Sequence, residues 1–200
     1  MDRFLRFAIP TMFAGIALAL LYAVFSASSK GSNRDPVAKF AVGTLTKLDT
    51  SDRGAAAPVA PFVDAAGNPV TFQDFDGQVV LVNYWATWCG PCEREMPSLA
   101  SLQSARGDDA FKVIAISVDS PEDRAYAEQR LRELSGDVLD FYTLADGADG
   151  WQVVYDTDAG GGFPTTILYD QAGLKVAKVE GEADWSSFEA VALIDLIKDN

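Results

Sequence analysis

The chain has 200 residues, 48% of them hydrophobic, enough for one buried core with some chain left for an extension. With no histidine, it excludes a Ser-His-Asp triad, a Cys-His nucleophile pair and histidine-ligated zinc or copper. Its net charge is -13; up to Lys39 five Lys/Arg face two Asp, a balance of +3, so the rest carries -16 and offers nucleic acid no basic stripe.

Residues 7–29, FAIPTMFAGIALALLYAVFSASS, hold no charge and are long enough at helical rise to cross a bilayer. We read residues 1–29 as an uncleaved signal anchor, one transmembrane helix, with a cleaved signal peptide as the alternative, for which Ser26 and Ser28 offer a usable but poor cleavage site. Arg3 and Arg6 lie on one side of the span and Lys30, Arg34 and Lys39 on the other, so charge alone does not orient it. Residues 30–60 have the Ala, Ser, Gly and Pro content of a tether, within which VAKFAVGTLTKL is apolar enough to pack as a short helix. The folded domain is expected over residues 61–200.

PFVDAAGNPVTF reads as a small hairpin, and FDG turns the chain into the first buried strand. QVVLVNYWA is a continuous apolar run suited to a strand covered on both faces, and FKVIAISVD is a second. Ser120 before Pro121, with Glu122 and Asp123 next, marks a helix start whose inner face carries Leu131 and Leu134. TTILYD and LKVAKVEG, joined by QAG, form an antiparallel hairpin. A last helix is expected after Asp184, with Phe188, Val191, Ala192 and Leu196 at helical spacing. The alternation predicts an α/β domain with a central mixed β-sheet flanked by helices.

Both cysteines, Cys89 and Cys92, stand in NYWATWCGPCEREMP, directly after a buried strand and where the pattern turns helical. Cys89 therefore falls at a helix N-terminus, where exposed N–H groups and the helix dipole favour a thiolate. Side chains three apart on a helix lie about 5 to 6 Å from each other, within reach of a disulfide once the first turn adjusts. So small a ring removes little entropy from the unfolded chain, which speaks against a structural staple. A zinc clip would need two more ligands that only carboxylates could supply. Exchange chemistry remains: Cys89, the exposed N-terminal sulfur, attacks a substrate disulfide as thiolate, and Cys92, deeper, resolves the mixed disulfide.

WATWCGPC resembles the active-site motif of the thioredoxin superfamily, and VLVNYWATWCGPCEREMP is similar to its membrane-tethered TlpA-like branch, related to cytochrome c maturation reductases. The likeness runs from about Pro61 to the C-terminus, with Pro97 in the helix after the cysteines and GGFPTT downstream. It implies a thioredoxin-like fold with an N-terminal β-hairpin extension, and a redox-active disulfide at Cys89 and Cys92 with no cofactor and no metal. In that family a cis proline lies beside the cysteines, and the residue before it offers its backbone to an extended client; Pro164 and Phe163 match those positions. Trp88 would shield the sulfurs and lend partners a flat apolar surface. Ordinary thioredoxins carry a buried Asp where this chain has Asn83, which cannot titrate. Glu95, three residues after Cys92, matches the TlpA-like glutamate and is expected as the acid/base. Its alternative is an exposed helix carboxylate beside Glu93 and Arg94.

The resemblance implies an anchored thiol-disulfide oxidoreductase of the bacterial inner membrane, single-pass, with its catalytic domain in the periplasm. The Gly-Pro between the cysteines resembles thioredoxin, whose poise is roughly -270 mV, against roughly -120 mV for a strong oxidant. Implied partners are a membrane thiol electron donor and client proteins with cysteine pairs, apocytochrome c or copper-site proteins of oxidase assembly. Two alternatives use the same cysteines: a thiol oxidase or isomerase, and a Cu(I)-binding metallochaperone. A peroxiredoxin-type site fits less well. It wants a Thr three residues before its cysteine, where Ala86 stands, and an upstream proline, absent between Gly77 and Cys89.

Overall fold

The computed structural model describes residues 35–199. Among them, eight strands form one mixed sheet. In chain order these are β1 (Leu48–Asp49), β2 (Phe62–Asp64), β3 (Pro69–Val70), β4 (Val79–Trp85), β5 (Phe111–Ser117), β6 (Phe141–Leu144), β7 (Thr165–Tyr169) and β8 (Lys175–Glu180). The described helices are α1 (Gly90–Arg106), α2 (Arg124–Ser135), α3 (Gln152–Asp156) and α4 (Phe188–Lys198). The strand order is β1-β8-β7-β4-β5-β6-β2-β3, with β4, β5 and β6 parallel and the other pairings antiparallel.

The two apolar runs make the centre of this sheet because they are covered on both faces. Every residue of β4 is buried, and β5 is buried except at Lys112. Helix α1 packs on β5 and on α2, and α4 packs on β4. Gly77, in the FDG turn, holds φ at +89°, and its N–H donates to the Gln171 carbonyl at 3.0 Å. The β2–β3 hairpin is tied down by rings: Phe62 lies 5.3 Å from Phe72 and 5.5 Å from Tyr142 between centroids.

Three sequence expectations meet a different arrangement, and one strand is not foreseen. Part of the stretch read as a tether belongs to the compact unit, which begins at Val37. Short 3₁₀ turns at Ala38–Phe40 and Gly43–Leu45 bury Leu45, and β1 then pairs with β8. The strand β6 has no counterpart in the sequence reading, because FYTL is too short to show a period. The helix signalled by Ser120 opens as a 3₁₀ turn, Pro121–Asp123, before α2 proper; Leu131 is buried and Leu134 packs against the core. Finally, α4 begins at Phe188, capped by Ser187, and buries Ala190, Leu193, Ile194 and Ile197, while Phe188 is 86% exposed. That helix is apolar on several sides, so spacing alone selects a stripe beside the buried one; Val191 and Leu196 still pack against the core.

The membrane span expected in residues 1–29 lies outside the described residues. Among the described residues, no helix is long and apolar enough to cross a membrane. The buried Leu45 gives a direct test of docking: Leu45→Ala should cost about 2 to 4 kcal/mol in urea unfolding, where the same change in a free tether would cost nothing.

Candidate active site

The chain leaves β4 at Trp85 and reaches α1 through Ala86, Thr87 and Trp88. Cys89 is the N-cap of α1, with extended backbone (φ -98°, ψ 93°), and Pro91 occupies the first turn, where its missing N–H loses nothing. Cys89 and Cys92 are joined as a disulfide, with 5.3 Å between their Cα atoms. The Cys92 N–H points at the Cys89 sulfur at 3.3 Å, so the orphan donors of the helix end face the sulfur that would carry charge. Cys89 is the more accessible of the two, yet only 6% exposed, and Cys92 is fully covered. The sequence reading expects a more open Cys89.

A carboxylate in the first turn of α1 would suit the helix dipole but oppose a thiolate beside it. Glu93 is that residue, and Arg130 of α2 grips it with two hydrogen bonds, Nε to Oε1 at 2.7 Å and Nη2 to Oε2 at 3.0 Å. The Arg130 guanidinium holds the Glu93 carboxyl below the usual range. Its charge is thereby largely balanced, leaving the positive end of the helix to the sulfur.

Glu95 is buried one turn beyond Cys92. The Ala183 N–H donates to its Oε2 at 3.1 Å, and Asn83 Nδ2 donates to its Oε1 at 2.6 Å and also to Thr166 Oγ1 at 2.8 Å. Burial dominates over these bonds and pushes the carboxyl up to about 7. The Trp185 indole N–H draws it slightly down without closing a hydrogen bond. The exposed-carboxylate alternative for Glu95 does not match this burial. Asn83, which cannot titrate, sits instead as a hydrogen-bond partner of the residue that can.

The register of β7 against β4, with Thr165 opposite Tyr84, carries Phe163 and Pro164 to the strand end from which the cysteine loop departs. The Phe163–Pro164 peptide bond is cis. The Phe163 ring meets Trp88 edge-on, 6.0 Å between centroids, and Trp88 is 66% exposed. The structure thus gathers Trp88, Cys89, Cys92, Glu95, Phe163 and Pro164 around the N-terminus of α1 and the adjoining end of β4.

Sequence reading passes over one residue of this region. Asp119, just after β5, accepts from the Thr87 N–H at 3.0 Å, from Thr87 Oγ1 at 2.7 Å and from Ser117 Oγ at 2.8 Å. It fixes the loop that delivers Trp88 and Cys89. Only the polar end of FKVIAISVD hints at it, because its partner Thr87 is 32 residues away in sequence. Asp119→Ala should cost about 2 to 3 kcal/mol by denaturant unfolding, since it orphans the part-buried Thr87 groups and the buried Ser117 hydroxyl.

A model of the AhpC/TSA family matches residues 54–178. The chain belongs to the AhpC/TSA family. Among its relatives, thiol-disulfide oxidoreductase ResA of Bacillus thuringiensis subsp. konkukian (strain 97-27) is 27% identical over 148 residues, 70% of this chain and 76% of that protein. Thioredoxin-like protein YneN of Bacillus subtilis (strain 168) is 33% identical over 122 residues, 60% of this chain and 67% of that one. A solved thioredoxin domain of a thiol-disulfide oxidoreductase from Bacteroides vulgatus superposes with a TM-score of 0.60 at 27% identity, covering 72% of this chain and 96% of that one. This AhpC/TSA member is a thiol-disulfide oxidoreductase with a thioredoxin-like α/β fold, as the WCGPC resemblance implies.

Proposed function

We propose that the enzyme is a membrane-tethered reductant facing the periplasm, which returns client disulfides to dithiols. Residues 1–29 anchor it in a bacterial inner membrane by a single span. The Cys89 thiolate attacks one sulfur of a client disulfide, that S–S bond breaks, and the client's other sulfur leaves as a thiolate and takes up a proton. Cys92 then gives its proton to Glu95 and attacks the Cys89 sulfur, freeing the second client thiolate and closing the Cys89–Cys92 disulfide. A membrane thiol donor supplies the two electrons that reopen it. Trp88, Phe163 and Pro164 hold the client; the Phe163 N–H and carbonyl have no hydrogen-bond partner among the described residues, which leaves them open to an extended peptide. The clients we assign are apocytochrome c or the copper-site proteins of cytochrome oxidase assembly, through their cysteine pairs.

The observation that carries this reading is one stretch of α1: Cys89 at the N-cap, Cys92 covered behind it, and a buried Glu95 one turn on, ionising near neutral pH. The test is the reduction potential of the Cys89/Cys92 couple in the full chain, equilibrated against a thiol buffer and read by alkylation. A value below about -200 mV is expected; one near -120 mV makes the protein an oxidant and overturns the reading.

A further inference from the structure

We propose that Trp88, Phe163, Trp151 and Tyr155 form a docking ladder for an extended client segment that carries basic side chains. This rests on the reading of the enzyme as a reductant of protein clients, and extends its contact surface well beyond the cysteine loop.

Four rings follow one another from the disulfide outward. Trp88 lies 6.0 Å from Phe163, Phe163 6.5 Å from Trp151, and Trp151 6.3 Å from Tyr155, all between centroids. Alternate side chains on one face of an extended strand repeat at about 6.6 Å. A strand whose cysteine lies at Cys89 can therefore set every second side chain against a successive ring.

The fold leaves the outer two rings open to solvent in part. Helix α3 is held by Val153 and Val154, which are buried, and by Thr157, whose hydroxyl donates to the Val153 carbonyl at 2.9 Å. Trp151 and Tyr155, four residues apart on its outer side, are 38% and 66% exposed. Aromatic rings left in a row on a soluble surface mark a place where something else lies down.

The charge around the outer rings selects the partner. Residues 145–162 hold four Asp and no Lys or Arg. Arg124 pairs with Asp146 at 2.7 Å and Lys178 with Asp158 at 2.6 Å. Asp149 and Asp156, beside the two rings in sequence, are paired with no cation among the described residues; Asp156 accepts only from Gln152 Nε2. In a chain of net charge -13 this rim repels an acidic segment, and equally a second copy of the chain. Lys or Arg side chains, with apolar stems for the rings and cationic ends for the carboxylates, fit both features.

The experiment uses the reduced full chain and three disulfides: hydroxyethyl disulfide, and two peptides of equal length and aromatic content, each with an internal disulfide, flanked by Lys in one and Glu in the other. At low salt the Lys peptide should be reduced about 10-fold faster than the Glu peptide, the ratio falling towards one at high salt. Asp149→Asn with Asp156→Asn should cut that ratio about 3-fold or more. Trp151→Ala with Tyr155→Ala should slow both peptides about 10-fold and leave hydroxyethyl disulfide unchanged; Trp151→Phe with Tyr155→Phe should retain most of the rate. If both peptides react equally in the wild type, or if the double alanine variant slows neither, the ladder is wrong while the reductant reading stands. If hydroxyethyl disulfide is reduced and neither peptide is, the protein-client reading falls as well. Sedimentation of the wild type should show a monomer; a dimer that Trp151→Ala with Tyr155→Ala dissolves would assign the rings to a second copy and overturn the proposal.

Discussion

Cys89→Ser should lower reduction of client disulfides by at least about 10³-fold, because it removes the only sulfur a client can reach. Cys92 is fully covered and lies behind Cys89 in the first turn of α1, so it has no route to an incoming disulfide. The complementary variant, Cys92→Ser, keeps the attacking thiolate and the N–H that faces it at 3.3 Å, but cannot close the ring. It should accumulate as mixed disulfides with clients, seen as thiol-sensitive adducts on non-reducing gels and identified by mass spectrometry. Adducts on Cys89→Ser and none on Cys92→Ser would reverse the two roles.

Glu95→Gln should remove a pH dependence from both stability and rate. Burial raises the folded carboxyl to about 7 from its ordinary 4.5. Between those values the folded chain keeps a proton that the unfolded chain has lost, so stability falls as pH rises through the window. Below about 4.5 there is no penalty, and above about 7 it is complete, at roughly 3 kcal/mol. The neutral amide of the variant escapes it, so Glu95→Gln should unfold at higher urea than the wild type at pH 8 and near the same urea at pH 4.5. Asn83 can accommodate the change: its Oδ1 is buried and unpartnered, and turning the amide over presents that oxygen to the new NH₂ group. Exchange near neutral pH should slow about 10²-fold, and its inflection near pH 7 should vanish. A profile identical to the wild type's would leave Glu95 with a packing role only.

The centre of the fold is readable in the sequence because burial on both faces leaves a plain trace: VVLVNYW and FKVIAIS are apolar runs with little alternation, and the structure pairs them in parallel. WCGPC is readable for a similar reason, since both cysteines and the helix start lie within a few residues. What is not readable depends on distant partners or very short elements. Asp119 looks like an ordinary loop carboxylate until β5 places it against Thr87. The stripe of α4 is masked by its own apolar richness, and the residues after Lys39 look like a tether until Leu45 finds the core. Glu95 shows the same limit: its position in the motif is visible, but its pocket comes from Ala183 and Asn83, far apart in the chain.

The pairing of Leu48–Asp49 with β8 also bears on how the protein survives crowding. Without it, most of the strand Lys175–Glu180 would lie open along its outer edge, since only Lys175 is otherwise bonded there, to Gly54 and Ala55. With it, Lys178 and Val179 are covered by Asp49 and Leu48, and the sheet's outermost strands are two residues long each, Leu48–Asp49 at one side and Pro69–Val70 at the other, where Pro69 has no N–H to give. Outermost strands this short give a cross-β stack little to build on, which suits an oxidoreductase that acts on client proteins with cysteines.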